Sequence, residues 1–422
     1  MILEKIREKN NLPIILFFII FINYLPVILA NMCTKESFGA SMIQMVLCFG
    51  IEIIVLILFL FKKIKFTKNI KKEILILISV SLILFFVQIK NFLNKEYKIM
   101  DFANIVCQFV NIFLLYICIK DLKIDEKSLL SFMKAILFLG IIACIQNIIL
   151  YFSEVLCFFG VNNGSTKHIK SFFSNRNQFA FFLYISIIAN TYIIIKNKNI
   201  FYKISLGLLF INTLFSMSRT GVLIILIFAA IYFLMTEKVN KKTKIIILTI
   251  MCICGIIFRV IINHFNPNTL SRLIRLDSLS NLSGRTEIWE RGVNIILDNP
   301  INLLFGVGRF KGIEVLVFDT KTFTQFHNIY LDSLITGGIL ELIFVLYIYF
   351  NVIKTVLKSD MDKKYKNLYK AMFITYFIYI CFESFGRFSI GASDTLCLIF
   401  FVTIPLLHAN SIKNEKTEEE IK

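Results

Sequence analysis

From Arg272 to Gly338 this chain turns polar and stays polar, and the side chains there are of kinds that do chemistry. The interval holds Arg272, Arg275, Arg285, Arg291 and Arg309, a Gly306-Val307-Gly308 turn, the only tryptophan (Trp289), and His327-Asn328 opening the next apolar run. A guanidinium is a planar, always-charged fork that grips phosphate through two parallel bonds. An imidazole titrates near neutrality and can take a proton from a hydroxyl. The competing reading of His327 is an interfacial imidazole bonded to a carbonyl, and by position alone that reading is the stronger. Two glycines let a backbone approach a ligand closely, although a lone Gly-x-Gly is more often a tight turn.

The elements that must position these groups are apolar. Of 422 residues, 57% are hydrophobic, and runs of about 18 or more recur, each long enough to cross a hydrocarbon layer roughly 30 Å thick. The expected fold is all-α, a single polytopic transmembrane domain over residues 1–422 with about 12 transmembrane helices and one long outer-face loop carrying short amphipathic helices. The spans expected are Leu12–Ala30, Ala40–Phe61, Ile74–Phe92, Met100–Ile119, Leu129–Phe152, Asn177–Ile195, Ile200–Met217, Thr220–Thr236, Ile245–Asn263, Asn328–Val352, Leu368–Phe385 and Ile390–Leu407. A transmembrane β-barrel would alternate apolar and polar residues in segments of roughly 10, which this chain does not do. The basic start and the run from Leu12 resemble a signal peptide, but the run is too long and lacks a small-residue cleavage site, so it is kept as the first span. The ten cysteines sit in or beside apolar runs as small core residues, with neither disulfide nor zinc spacing.

The net charge of +18 is a topology signal before it is anything else, and nucleic-acid binding is excluded. With the N-terminus inside, the inner connections carry 28 Lys and Arg and the short outer ones 9. Both termini are therefore expected in the cytoplasm, the loop 264–327 on the outer face, and residues 408–422 as a disordered cytoplasmic tail. Arginine runs against this trend. Of ten, only Arg7 falls inside; Arg176, Arg219, Arg259, Arg272, Arg275, Arg285, Arg291, Arg309 and Arg387 fall on or near the outer face. Any one of them could cap a helix or meet a headgroup, but nine together favour a phosphate-bearing ligand at the outer leaflet.

Within the loop, Pro267 to Asp277 reads as a short helix with Arg272 and Arg275 on one face. Thr286 to Asp298 reads as an amphipathic helix burying Ile288, Trp289, Val293, Ile296 and Leu297, with Arg285 at its start, Arg291 on its polar face and Pro300 ending it. Elsewhere, Arg219 lies in a two-helix turn at the bilayer surface, and Glu383, Arg387 and Asp394 surround the last outer turn, where the first two suit an ion pair. Glu52 and Glu341 fall inside spans, where a carboxylate is costly.

These pieces together resemble the O-antigen ligase and polymerase superfamily of membrane glycan-assembly proteins. The resemblance rests on Phe173-Ser174-Asn175-Arg176-Asn177-Gln178-Phe179-Ala180, Ser218-Arg219-Thr220-Gly221, Gly284-Arg285 before Trp289, and Gly306-Val307-Gly308 before His327-Asn328-Ile329-Tyr330-Leu331 and Gly337-Gly338-Ile339. It covers roughly residues 160 to 350; each motif is short, and their order carries the match. It implies transfer of a glycan from a polyprenyl diphosphate carrier to a glycan acceptor, with His327 as base. It implies Arg219, Arg285 and Arg309 as diphosphate ligands, and Asn328 and Tyr330 beside the substrate. Arg176 stands next to a family Asn position, and its role is carried over only as a neighbour.

The expected function is a polymerase joining polyprenyl-diphosphate-linked repeat units at the outer face of a bacterial plasma membrane, with a flippase and a chain-length regulator as partners. No cofactor is expected. Charge building on the departing diphosphate needs a metal or an arginine cluster, and the sequence offers the arginines but no metal-binding motif on that face. A ligase moving finished glycan to another acceptor is the alternative. A flippase would show matched halves, and none is seen. A non-catalytic scaffold would survive loss of His327.

Overall fold

The computed structural model describes residues 12–33, 50, 52–54, 57, 68–93, 99–119, 122, 124–150, 170–173, 175–216, 218–236, 240, 242–243, 285–314, 316–318, 321–322, 325–388 and 391–420. The helices are α1 (Leu12–Cys33), α2 (Lys68–Leu93), α3 (Ile99–Ile112), α4 (Glu126–Leu150), α5 (Arg176–Lys196), α6 (Ile200–Phe215), α7 (Arg219–Met235), α8 (Arg285–Leu297), α9 (Pro300–Phe305), α10 (Arg309–Glu314), α11 (Ile329–Lys358), α12 (Lys363–Tyr379), α13 (Ala392–Cys397) and α14 (Ile404–Glu420). A π-helical turn continues α3 through Phe113–Ile117, and another joins α13 to α14 through Leu398–Thr403. The only strands among the described residues pair Val317 with Thr322 and Phe318 with Lys321.

This is a multi-pass helical membrane protein. Glu126–Ile149, Arg176–Lys196, Ile329–Lys358 and Ala392–Ile412 are each long and apolar enough to cross a bilayer. Leu12–Leu25, Asp101–Ile117, Ile200–Phe215 and Arg219–Met235 are shorter apolar helices. The ninth span, most of the second, the helix expected over 267–277, and Arg259, Arg272 and Arg275 lie outside the described residues. Exposed Ile14, Leu75, Phe86, Phe138, Ile204, Leu223, Ile343 and Phe350 suit a lipid-facing surface, where apolar side chains meet hydrocarbon.

α4 to α7, and again α11 and α12, run in alternating senses between two ends. At one end, Lys196 closing α5 pairs with Glu126 opening α4 at 2.7 Å, and Asn367 of α12 donates to the Met235 carbonyl closing α7 at 2.8 Å. At the other end lie the starts of α5, α7 and α11 and the finish of α12, tied by the Ile329 amide to the Ile380 carbonyl. The helix starts at this second end are capped by short polar side chains: Asn175 to the Gln178 amide, Ser218 to Gly221, and Asn328 to Tyr330 and Leu331. Each cap satisfies an amide that the first helical turn leaves without a carbonyl. Between the ends, Tyr184, Phe181, Tyr379, Phe385, Tyr376 and Phe401 form a stacked aromatic core joining α5, α12 and the π-turn before α14.

Four local expectations are corrected. Pro300 begins α9 instead of merely stopping α8, because Asn299 caps the Ile301 amide and proline tolerates the first helical turn. α12 stops at Tyr379, so Cys381 to Phe385 do not finish a span as helix. The span opening at Asn328 is broken, since Gly337 and Gly338 leave helical geometry, with Gly338 at φ +68°. The tail is not disordered over its described length: α14 carries helix through to Glu420. Its His408 is buried against Tyr369, whose hydroxyl lies 3.0 Å from Nδ1.

The break in α11 has a partner. It frees the carbonyls of Ile335 and Thr336, which accept from the amides of Val307 (2.7 Å) and Gly308 (3.2 Å) in the turn after α9. A side chain on Gly338 would strike the Leu304 carbonyl, and one on Gly306 would strike Thr336 and Gly337. The Gly-x-Gly turn therefore packs backbone on backbone, which is the tight-turn reading of that motif.

Candidate functional site

Glu383 is the point on which the distant motifs converge. It is wholly buried, just past the end of α12. Its Oε1 accepts from Arg285 at 2.7 Å and from the Asn177 amide at 2.9 Å, while Oε2 lies 3.3 Å from His327 Nδ1. The Asn177 oxygen in turn accepts from Ser218 Oγ at 3.0 Å. One chain of bonds thus joins the starts of α5, α7, α8 and α11 to the segment after α12. Arg285 is 15% exposed and His327 21%, against 0% for Glu383. The carboxylate lies behind, and the cation and imidazole face outward.

The proton positions follow from this geometry. Glu383 accepts from Arg285 and Asn177, so the tautomer of neutral His327 that this carboxylate selects carries its hydrogen on Nδ1 and donates it to Oε2. In that tautomer Nε2 is the lone-pair nitrogen. The Gln325 amide, 3.2 Å from Nδ1, then suits the orientation that turns its oxygen to the ring, an assignment made from bonding logic. His327 has φ +54°, a left-handed geometry that non-glycine residues take only when their surroundings enforce it.

Those surroundings come from α8. It buries Ile288, Gly292 and Ile296, and the ring of Phe326 lies directly over Gly292. Trp289 Nε1 donates to the Phe326 carbonyl at 2.8 Å, and the Phe326 amide points to Asp332. The residue before His327 is thereby held from both sides. Of the expected apolar face, Val293 and Leu297 remain exposed. Arg291 pairs with Glu287 one turn away at 3.4 Å on the surface.

The other expected site residues divide. Arg219 and Arg176 are half-buried and open α7 and α5 immediately beside Ser218 and Asn177. Asn328 caps α11 through its side chain, and the Tyr330 hydroxyl donates to the Phe377 carbonyl at 3.3 Å; both are committed to holding the start of α11. Arg309 stands in a second cluster. There burial first, and the Arg387 charge next, lower its pKa to about 10, opposed by Asp394, Asp332 and Asp101. It remains charged at neutral pH.

That second cluster corrects the expected Glu383–Arg387 pair. Arg387 turns away from Glu383, donating to Thr336 Oγ1 at 3.0 Å and lying 3.9 Å from Asp332. Ser384 also bonds Asp332, and Asp394 accepts from the amides of Gly386 (2.6 Å) and Arg387 (3.2 Å). The Gln108 and Asn111 amides of α3 donate to the carbonyls of Arg387 and Phe388. Gln108 also lies 3.3 Å from Glu341, beyond the α11 break. Buried non-helical backbone survives only where protein groups satisfy it, and α3 supplies them. In the first helices Glu52 likewise finds Asn23 at 2.8 Å.

Glu383 was named from sequence only as a partner of Arg387, and its place in the site was missed. A buried acid at the end of an apolar run was the signal, and the nearer Arg387 drew the assignment. No cluster of three or more metal-ligating side chains occurs among the described residues.

Residues 204–346 match the family model described as O-antigen ligase. The matched stretch contains Arg219, Arg285, Arg309, His327 and the Gly337–Gly338 break, whereas Asn177 and Glu383 fall outside it. No curated protein matches the chain.

Proposed function

With an O-antigen ligase family domain over residues 204–346 as premise, we propose that this protein transfers glycan from a polyprenyl diphosphate carrier at the outer face of a bacterial plasma membrane. Within that class it acts as a polymerase, joining lipid-linked repeat units. The observation that carries this reading is the buried Glu383 carboxylate holding both His327 and Arg285, the one a base and the other a phosphate ligand. Both termini are then cytoplasmic, and about twelve spans complete the bundle.

His327 Nε2 takes the proton of an acceptor sugar hydroxyl. The freed oxygen attacks the anomeric carbon of the donor as its bond to the diphosphate breaks, inverting that centre. Negative charge gathers on the departing diphosphate, where Arg285, with Arg219 and Arg176 at the neighbouring helix starts, meets it. Glu383 keeps the imidazole in the tautomer that presents Nε2 and stabilises the imidazolium once it forms. Asn328 and Tyr330 act through the start of α11.

The experiment is His327→Ala in a polymer-producing host. Normal protein with glycan held at single-unit length supports the reading, and wild-type chain lengths would sink it. Single-unit donor trapped on the inner leaflet would indicate a flippase. Polymer of normal length that stays on its carrier would indicate a ligase.

A further inference from the structure

Packing against the bundle accounts for only one face of α8. Ile288, Gly292 and Ile296 are buried, with Gly292 beneath Phe326 and Ile335. A helix turns about 100° per residue, which divides the rest of α8 into two flanks. One carries Glu287, Arg291, Asn294 and Asp298; the other carries Val293 and Leu297, with Glu290 at the seam. Leu297 is 69% exposed and Val293 43%. α9 is tied to α8 by Asn302, which donates to the Ile295 carbonyl at 3.1 Å, and it adds Ile301 and Leu304, each 50% exposed. Four large apolar side chains left open on two joined helices mark a surface that something covers.

The depth of α9 says what covers it. A side chain on Gly338 would strike the Leu304 carbonyl, so α9 sits level with the break in α11. Gly338 stands fourteen residues from Val352, where the expected span ends just before the exposed Lys354 and Lys358. At the helical rise that distance is about 21 Å, and a hydrocarbon layer roughly 30 Å thick leaves about 9 Å beyond the break. α3 agrees with this level. Its Gln108 meets Glu341, and Tyr116 in the π-helical turn that continues it accepts from Asn351 at 3.4 Å. It therefore runs antiparallel beside α11 and continues past the break toward its start at Ile99. Amphipathic helices seated in a bilayer surface bury their apolar side by about 5–10 Å, which is the depth of α9.

We propose that α8 and α9 are seated in the membrane leaflet at the reaction-site end of the bundle, with Val293, Leu297, Ile301 and Leu304 against lipid acyl chains and Glu287, Arg291, Asn294 and Asp298 toward headgroups and water. The partner is the lipid itself. This seating requires only that the chain spans a bilayer, whatever reaction its site performs. It makes the bilayer one support of that site, because α8 carries Trp289, whose Nε1 holds the Phe326 carbonyl beside His327.

Tryptophan emission tests lipid contact directly. Leu297→Trp, Leu304→Trp and Asn294→Trp are each made in the full chain and placed in phosphatidylcholine nanodiscs, with or without bromine, a short-range quencher, on the acyl chains. The emission of Trp289, the chain's own tryptophan, is subtracted by means of the unsubstituted protein. All three positions are exposed, so the larger ring displaces little, and thermal unfolding checks that each variant is folded. At 297 and 304 the added emission is expected to shift to the blue and to lose most of its intensity in brominated lipid. At 294 it should keep its intensity there and be quenched by iodide in the water. Iodide quenching at 297 and 304 in place of bromine quenching would put that flank in water and overturn the proposal. Shielding from both quenchers would do the same, since another part of the chain or a second copy would then cover the patch. Bromine quenching at all three positions alike would also overturn it, because the polar flank would then be sunk as well.

Discussion

Glu383 makes two demands on one carboxylate, and substitutions there separate them. Glu383→Gln keeps the volume but gives Arg285 a neutral partner and allows His327 the opposite tautomer. We expect kcat to fall by about 10²-fold or more, the usual worth of a positioned base, with partial recovery in Glu383→Asp; initial rates on lipid-linked donor measure both. Unchanged kcat would assign the residue to folding alone. Glu383→Ala goes further, leaving the half-buried Arg285 without its anion, and should lower the thermal stability of the protein. Arg285→Lys should chiefly raise the donor KM, because a point charge cannot grip a phosphate by two parallel bonds. His327 and Arg285 were legible as types, since few other side chains do those jobs. Glu383 was not, because its partner lies 98 positions away and local charge reasoning stops at the nearest arginine.

At the scale of elements, the site depends on a helix that is interrupted. α11 runs from His327's neighbour Asn328 to Gly337, breaks, and lends two carbonyls to the turn after α9. Gly338→Ala forces a side chain into left-handed backbone, at about 1–3 kcal/mol, and against the Leu304 carbonyl as well. Loss of thermal stability together with loss of transfer is expected. A variant as stable as wild type would show that α9 does not need its seat. Hydropathy could not show this break, because it counts apolar residues and is blind to φ. Capping was more readable: Asn175, Ser218 and Asn328 are local signals, and each begins a helix within one residue of the span expected from sequence. The surface helix was read correctly in extent but only partly in facing, for Val293 and Leu297 point outward while Gly292 is covered.

For the whole molecule, alternation of helices puts Arg176, Arg219, Arg285, His327 and Arg387 toward one end, and Lys196 with Glu126 at the other. Among the described residues, those four arginines therefore gather at one end of the bundle. If that end faces outward as proposed, a fluorescent protein fused after residue 422 should glow in the cytoplasm and a phosphatase fused there should stay inactive; the opposite pair of results would invert the topology. The loop 264–327 expressed alone should neither bind donor nor turn it over, because Asn177 and Glu383 come from outside it.

That arrangement also bears on inheritance. The stretch matched by the family model ends at residue 346, yet the anion that its arginine and histidine share is encoded 37 codons downstream, and the amide that steadies it 27 codons upstream of its start. Recombination that swaps residues 204–346 between two such genes would exchange one half of a matched set and strand the other. Functional chimeras should therefore carry junctions before Asn177 and after Glu383, and breeding libraries of such hybrids would reveal it by where the surviving crossovers fall.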